Sequence, residues 1–482
     1  MSADVHPPTP LVVDLDGTLT PTDTLIESVL KLIKQEPLCL LQMPLWLCQG
    51  RAAFKSHVAQ RVDLSASTLP YRQALLHYLR EQKARGRTLV LATAAHDKIA
   101  VSVADHLGLF DQVLATTEQR NLKGAAKLDA IRQEVGEQFA YAGDSAADVE
   151  IWAHSVAAIL VGPAVQRYQG RQVGAKVEQT FRDRQAGLGT WLRALRAHQW
   201  TKNLLLFVPL LTSFGFVDQH KILLSVLSFC AFCLVASATY LLNDLWDLES
   251  DRRHPTKCLR PLASAEISIA AALLAAAVGL CGALALGSVI GMQFLLALAV
   301  YLLITSVYSW TLKQIMLIDV LVLALLYTLR ILAGSFAIHV TTSPWLLAFS
   351  IFLFFSLALV KRCSELVALP PGETRTPGRD YHRGDLAVLW PLGTAAGLCS
   401  VIVLGLFVTT LVAEQRYATP ELLWLVGVGL LYWISRLWIK TNRGEMHEDP
   451  IVFAIKDRNS LLTIVAMIAV TLIAYFVPLT LL

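Results

Sequence analysis

From Asn203 to its end the sequence is a succession of apolar runs, each of roughly membrane-spanning length, ~20 residues, separated by short charged loops. No other feature constrains the fold as strongly. Residues 1–198 have the interspersed charges of a soluble protein. The split explains a composition of 55% hydrophobic and 16% charged residues in 482, against a usual charged share of about 25%. The N-terminus, Met1 to Pro8, has neither a basic segment nor an apolar core, so no cleavable signal is expected and the N-terminal domain should stay in the cytosol. The eight cysteines form no disulfide framework and no zinc pattern. Cys230 and Cys233 have CxxC spacing but lie inside an apolar run, where they read as small packing residues. A net charge of +4 is too small to argue for nucleic acid. No internal repeat is visible.

Nine spans are expected, near 203–217, 222–243, 267–288, 291–311, 316–338, 344–361, 387–412, 420–439 and 460–481, the first being short. Lys and Arg gather in alternate loops: Arg252, Arg253, Lys257 and Arg260; Lys313; Lys361, Arg362, Arg375, Arg379 and Arg383; Lys440, Arg443, Lys456 and Arg458. The opposite loops hold Lys221 and Arg416. The positive-inside rule puts the basic loops in the cytosol, with the N-terminal domain, in a bacterial cytoplasmic membrane.

In the soluble half, Leu11-Val12-Val13 reads as a buried strand running into Asp14-Leu15-Asp16-Gly17-Thr18. Two carboxylates so spaced at a strand end can share one site. Asp14 can attack phosphorus while Asp16 handles the leaving-group proton, and their mutual repulsion implies Mg²⁺. A second strand ends at Thr93, whose hydroxyl can bond a phosphoryl oxygen. Lys123-Gly124-Ala125-Ala126-Lys127 supplies a cation, Lys127 being better placed at a helix start than its rival Lys123. A third strand end carries Asp144 and Asp148 for the metal. Strands alternating with helices suggest a parallel sheet with its site at the carboxyl ends.

This ordered set resembles the haloacid dehalogenase superfamily over residues ~10–165. The resemblance implies an α/β Rossmann-like phosphatase domain with Asp14 as nucleophile, Asp16 as general acid/base, Thr93 and Lys127 as phosphate binders, and Asp144, supported by Asp148, on magnesium. The helical stretch ~21–85 falls where that family places a cap. Its segment Leu38 to Cys48 is unusually apolar and too short to span. It is either the cap's own core or packing face, or a surface that dips into the membrane interface. Residues 181–189 read as a linker. Trp191 to Trp200 mixes Trp and Leu with Arg, as suits a helix along headgroups, or a plain solvated connector.

In the membrane half, Asn243, Asp247 and Asp251 are spaced i, i+4, i+8, which stacks three oxygen ligands on one helical face. Carboxylates at a membrane helix end are costly without a cation, and Mg²⁺ bridging a diphosphate is the natural occupant. The motif NDxxDxxxD among nine apolar spans resembles the UbiA superfamily over residues ~190–482. That implies an all-α transmembrane bundle and magnesium-dependent departure of a diphosphate. Typical members carry a second DxxxD after the fourth span. Here Tyr308 to Asp319 offers only Asp319, with Lys313 adding a cation. The chain is therefore similar to the branch typified by decaprenyl-phosphate phosphoribosyltransferase. Lys257 with Arg260-Pro261, Arg330 inside the fifth span, Lys361-Arg362 with Glu365, and Glu448-Asp449-Pro450 add to the likeness. Arg330 reads either as a phosphate ligand or as half of an ion pair with Asp319 or another acid.

The reading that joins the halves is a bifunctional enzyme. The membrane domain, 201–482, transfers 5-phosphoribose from phosphoribosyl diphosphate to a polyprenyl phosphate. The phosphatase domain, 1–180, then removes the 5-phosphate, across a 181–200 linker. One alternative is a prenyltransferase acting on an aromatic acceptor beside an unrelated phosphatase. Another is a phosphatase on a non-catalytic membrane anchor. Chain length of the lipid, final sugar acceptor and oligomeric state stay open.

Overall fold

The computed structural model describes residues 8–118, 120–168, 175–183, 186–370, 372–376, 378–413, 417–446 and 450–478. Arg184, Gln185, Arg416, Glu448, Asp449 and the end of the ninth expected span lie outside the described residues. The chain divides into two compact units: Met1–Leu195 with Tyr240–Ala275, and Arg196–Thr239 with Ala276–Leu482.

The first unit is built on a parallel sheet of β1 (Leu11–Val13), β2 (Leu89–His96), β3 (Gln112–Thr116), β4 (Ala140–Gly143), β5 (Ala157–Val161) and β6 (Lys176–Phe181). The order is β3-β2-β1-β4-β5-β6. Val12 pairs with Val90 on one side and Tyr141 on the other, so β1 is central. Alternate residues of the strands serve the two faces. Leu11, Val13, Leu89 and Leu91 pack into one core, while Val12, Val90 and Tyr141 pack with Trp152 into the other. A strand covered on both sides reads as an unbroken apolar run rather than an alternating one. Each fully buried Leu or Val contributes roughly 1.5–3 kcal/mol. The strand order reverses between β1 and β4, which opens a crevice at their carboxyl ends.

Between β1 and β2 comes the helical cap: α1 (Thr24–Gln35), a 3₁₀ turn at Pro37–Leu41, α2 (Met43–Cys48) and α3 (Arg51–Arg61). Asp23 caps α1 by accepting the Leu25 and Ile26 N–H groups at 2.9 and 3.1 Å. Leu32, Cys39, Met43, Trp46, Val58 and Val62 form the cap's small core.

Eight helices among the described residues are long and apolar enough to cross a membrane. They correspond to the second through ninth expected spans. The first expected span, 203–217, is corrected. It is a 3₁₀ stretch, Ala197–Phe207, followed by a short α-helix at Val208–Thr212 and a further 3₁₀ turn at Gly215–Val217. Pro209 sits in the first turn of that short helix and Phe214 is left-handed at φ 54°, so the run is broken twice. The segment lies against the helix Ile318–Ala337 at Gly334. A Cβ there would fall 2.3 Å from the Leu206 carbonyl oxygen, so only glycine admits the approach.

Candidate active sites

The crevice beneath the cap is a cavity of about 620 Å³. Asp14 and Asp16 reach it from the end of β1, Asp144 and Asp148 from beyond β4, and Lys123 and Lys127 from the loop and helix start after β3. Lys127 Nζ lies 3.0 Å from Asp14 Oδ1, and donates to Tyr141 Oη at 3.1 Å. Tyr141 in turn donates to Asp148 Oδ1 at 2.8 Å. The other Asp148 oxygen accepts from the Asp144 and Ser145 N–H groups and the Ser145 hydroxyl. Asp148 is thus fixed from several directions. Among the described residues the Asp144 carboxylate accepts the Thr18 hydroxyl alone, at 3.2 Å. Asp16 accepts the Thr24 N–H at 2.9 Å, which ties the loop after β1 to the first residue of the cap.

Gly17 makes the loop possible. Its φ is +76°, and a Cβ would fall 2.2 Å from Asp144 Oδ2. Arg72 then holds the loop from outside, donating to the Gly17 and Thr18 carbonyls while paired with Asp183.

The electrostatics define what the cavity can hold. Asp14, Asp144 and Asp148 each bring a carboxylate oxygen to within 4.8 Å of the others. Burial, and after it neighbouring acids, raise the carboxyl of Asp144 to about 7. Burial also raises Asp14 to about 6 against the opposing pull of Lys127. Asp16 reaches about 7 through burial and the charge of Asp23. Burial alone would lower the Lys127 pKa, but Asp14 and Asp148 outweigh it and leave it raised. The cluster therefore carries more negative charge than its lysine balances. A hard divalent cation with oxygen ligands is the species such a site fits.

Thr93 is fully buried, its hydroxyl accepting the Ala95 N–H at 3.0 Å. The cavity wall at that strand end is Ala94, Ala95 and His96. Sequence reasoning missed Lys55, a cap residue on α3 that also lines the cavity. It donates to the Ala94 carbonyl at 2.6 Å and Asn121 Oδ1 at 3.0 Å, and burial lowers its pKa. No local motif marks it; only the cap's folding back brings it in.

The acidic loop of the membrane half falls in the same compact unit as the phosphatase sheet. The helix Gln219–Trp246 ends one residue before Asp247, and a short helix, Leu248–Arg253, follows. Helical hydrogen bonding survives the junction. The Asp247 N–H donates to the Asn243 carbonyl and the Asp251 N–H to the Asp247 carbonyl, at 2.9 and 2.8 Å. The three thus keep their helical spacing. Arg260 bridges two acids here, donating to Asp251 at 2.6 Å and Asp244 at 3.2 Å. Lys257 is exposed on a 3₁₀ turn nearby. Arg252 turns the other way and makes a buried bidentate pair with Glu27 of α1 at 2.7 and 2.8 Å. Lys31 and Lys34, also on α1, reach Glu249 and the Trp246 carbonyl, at 3.0 and 2.9 Å.

In the second unit, Asp319 is fully buried. It accepts from Arg362 Nε at 2.6 Å and from the Tyr381 hydroxyl. Arg362 also reaches Glu365 at 2.7 Å, and its Nη2 has no hydrogen-bond partner among the described residues. Tyr308 lies within electrostatic reach of Arg362 and Asp319. Arg330 is held by neutral groups, Asn203 at 3.0 Å, Tyr301 at 2.8 Å and the Leu326 carbonyl. Its guanidinium lies over the Tyr301 and Tyr327 rings. Lys313 stands on the 3₁₀ turn Leu312–Gln314, and Lys361 precedes Arg362 near the end of the helix Pro344–Val367.

Residues 204–455 match the UbiA prenyltransferase family, and residues 11–152 match the haloacid dehalogenase-like hydrolases. An uncharacterised protein of Sinorhizobium fredii is 39% identical over 94% of this chain and 88% of its own length. The nodulation protein NoeC of Azorhizobium caulinodans is 36% identical, over 58% of this chain and 91% of its own. A decaprenyl-phosphate phosphoribosyltransferase of Mycobacterium tuberculosis is 33% identical, over 43% of this chain and 71% of its own.

Proposed function

The chain belongs to the UbiA prenyltransferase family and carries a haloacid dehalogenase-like domain, and from that premise we propose two consecutive reactions on one lipid. In the first, an oxygen of a polyprenyl phosphate attacks C1 of phosphoribosyl diphosphate. The C1–O bond breaks and diphosphate leaves. In the second, the phosphatase domain removes the 5-phosphate and leaves polyprenyl-phosphoryl ribose. Both sites face the cytosol at a bacterial inner membrane, a reading supported by the basic loops.

The observation that carries this reading is the state of Asp319. It is the one acid in the segment where typical family members have a second acidic motif, and it is paired with Arg362 and hydrogen-bonded by the Tyr381 hydroxyl. A prenyl diphosphate gripped between two acidic motifs does not suit that arrangement. A donor bearing a diphosphate and a separate 5-phosphate suits one acidic loop with Lys257 and Arg260 close by in sequence, in a family domain that also carries Lys313, Arg330 and Lys361. The decaprenyl-phosphate phosphoribosyltransferases among the relatives support the same donor.

In the second step Asp14 attacks phosphorus, forming an aspartyl-phosphate as the P–O5 bond breaks. Asp16 gives its proton to the departing O5 and then takes one from the water that hydrolyses the intermediate. Lys127 balances charge on the phosphoryl oxygens. Magnesium, held by Asp14, Asp144 and Asp148 and in the transferase by Asn243, Asp247 and Asp251, would supply charge neutralisation to phosphate oxygens when bound.

Purified protein in nanodiscs, given phosphoribosyl diphosphate and a polyprenyl phosphate, should release diphosphate and then inorganic phosphate. Asp247→Ala should lose transfer and keep hydrolysis of ribose 5-phosphate, which would also dispose of a merely anchoring membrane half. The reading fails if no ribosylated lipid forms while a prenyl diphosphate is consumed with an aromatic acceptor.

A further inference from the structure

The cap's apolar segment has two unlike faces. Cys39, Met43 and Trp46, at helical spacing, point into the cap core with Leu32 and Val58. Between them Leu38, Leu40, Leu41, Leu45 and Leu47 point outward. Leu38 and Leu41 are 76% and 78% exposed. On a domain meeting only water this outer face would be polar; isolated exposed leucines are ordinary, but five within ten residues form a patch.

Three features say what covers it. Leu47 belongs both to this face and to the wall of the phosphatase cavity, so the patch runs to the cavity's edge. The wall on the cap side is itself apolar, with Leu25, Ile26, Phe54 and Val58 opposite the carboxylates. The cavity is also lined by Ser268, Ile269 and Ala270, where the helix Ile269–Ile290 begins, and that helix is long and apolar enough to cross a bilayer. A cavity whose rim includes the start of such a helix opens where headgroups begin. A leucine face continuous with that rim matches the apolar side of an interfacial helix. Arg51, exposed beside it on the cavity wall, suits a phosphate headgroup.

We propose that the leucine face of the cap is seated in the lipid surface, and that the phosphatase cavity takes phosphomonoesters carried on a membrane lipid rather than free in solution. The phosphate enters toward Asp14 and Lys127 while the lipid arm stays against the cap wall. The lipid contact stands on the cap alone; the substrate class rests on the phosphatase reading above.

The test uses the full chain in nanodiscs and has two arms. In the first, a genetically encoded dansyl amino acid replaces Leu41, with a control at Glu81 on the exposed side of the helix Gln73–Ala84. Doxyl-labelled phosphatidylcholine should quench position 41 and iodide should not, with the reverse at position 81. Quenching of position 41 by iodide, or by neither agent because protein covers it, overturns the proposal. In the second arm, hydrolysis of synthetic polyprenyl-phosphoryl 5-phosphoribose in the disc is compared with that of free ribose 5-phosphate. The triple variant Leu38→Gln, Leu41→Gln, Leu45→Gln should lose about tenfold on the lipid ester and keep its rate on the soluble one. Equal rates on both esters, or equal loss on both, overturn the substrate class. Quenching of position 41 by doxyl lipid, with wild-type protein inert toward the ribosyl lipid, would uphold the lipid contact and sink the two-step reading instead.

Discussion

Two acidic clusters in one compact unit are treated in opposite ways. Beneath the cap, Asp14, Asp16, Asp144 and Asp148 crowd around one directly paired lysine, and burial drives three of the four carboxyls upward. In the loop after Gln219–Trp246, Asp244 and Asp251 share Arg260, while Glu249 has Lys31 and Arg253. The first cluster is short of positive charge and is poised to take a cation. In the second, Asp251 is already paired, so a metal or a diphosphate must displace Arg260 from it or recruit Arg260 as a ligand to phosphate. Counting acids does not separate a binding site from a salt-bridged joint; their counter-charges do.

The contrast can be broken at its strongest point first. Asp14→Asn should lower phosphatase turnover by about 10³-fold or more, because nothing else in the cavity is placed to form the covalent intermediate. Phosphorylated ribosyl lipid should then accumulate in chromatograms of the reaction while transfer continues. Next in size is Glu27→Ala, which strands Arg252 in a site where both side chains are under a tenth exposed. A cost of about 3–5 kcal/mol in denaturant midpoint analysis is expected, and the double replacement Glu27→Leu, Arg252→Met should recover much of it. Magnesium should come third. At about a hundredfold excess over its Kd the phosphatase site alone adds about 2.7 kcal/mol, read as the part of the rise in Tm that Asp144→Asn removes. Smallest is Arg260→Gln. Its guanidinium is 30% exposed but Asp244 and Asp251 are buried, so stability should fall by about 1–2 kcal/mol, less than for the Glu27–Arg252 pair, in which both partners are buried. A drop in transfer much larger than that would mark Arg260 as a phosphate ligand, and an unchanged rate would leave it a joint.

The phosphatase site was legible because its ligands follow strand ends. Asp14 and Asp144 each sit where a short apolar strand stops, Asp148 follows within the next turn, and Lys127 opens the helix after β3; a parallel sheet gathers such ends at one edge. Thr93 was expected at the end of its strand; β2 runs on to His96, and the Thr93 hydroxyl accepts the Ala95 N–H. Lys55 followed no rule, since a cap helix carries it in from 39 residues before the carbonyl it binds. Eight spans were legible from length and hydropathy; the first expected one, 203–217, failed on Pro209 and a left-handed Phe214, which break the run. Arg330 was expected either to hold a phosphate or to pair with an acid. The structure gives it Asn203 and Tyr301, and gives Asp319 to Arg362. Pairings across such distances in sequence leave no local trace.

The Glu27–Arg252 pair joins residues 225 positions apart, and this bears on how such a gene can be inherited. A break in the reading frame anywhere between the two codons leaves each product with a charge built for burial and no counterpart. Exchange of the phosphatase segment with a homologue's costs least when the incoming segment brings an acid to the same turn of the cap, or when position 252 changes with it. Drift at either codon is conditional on the other.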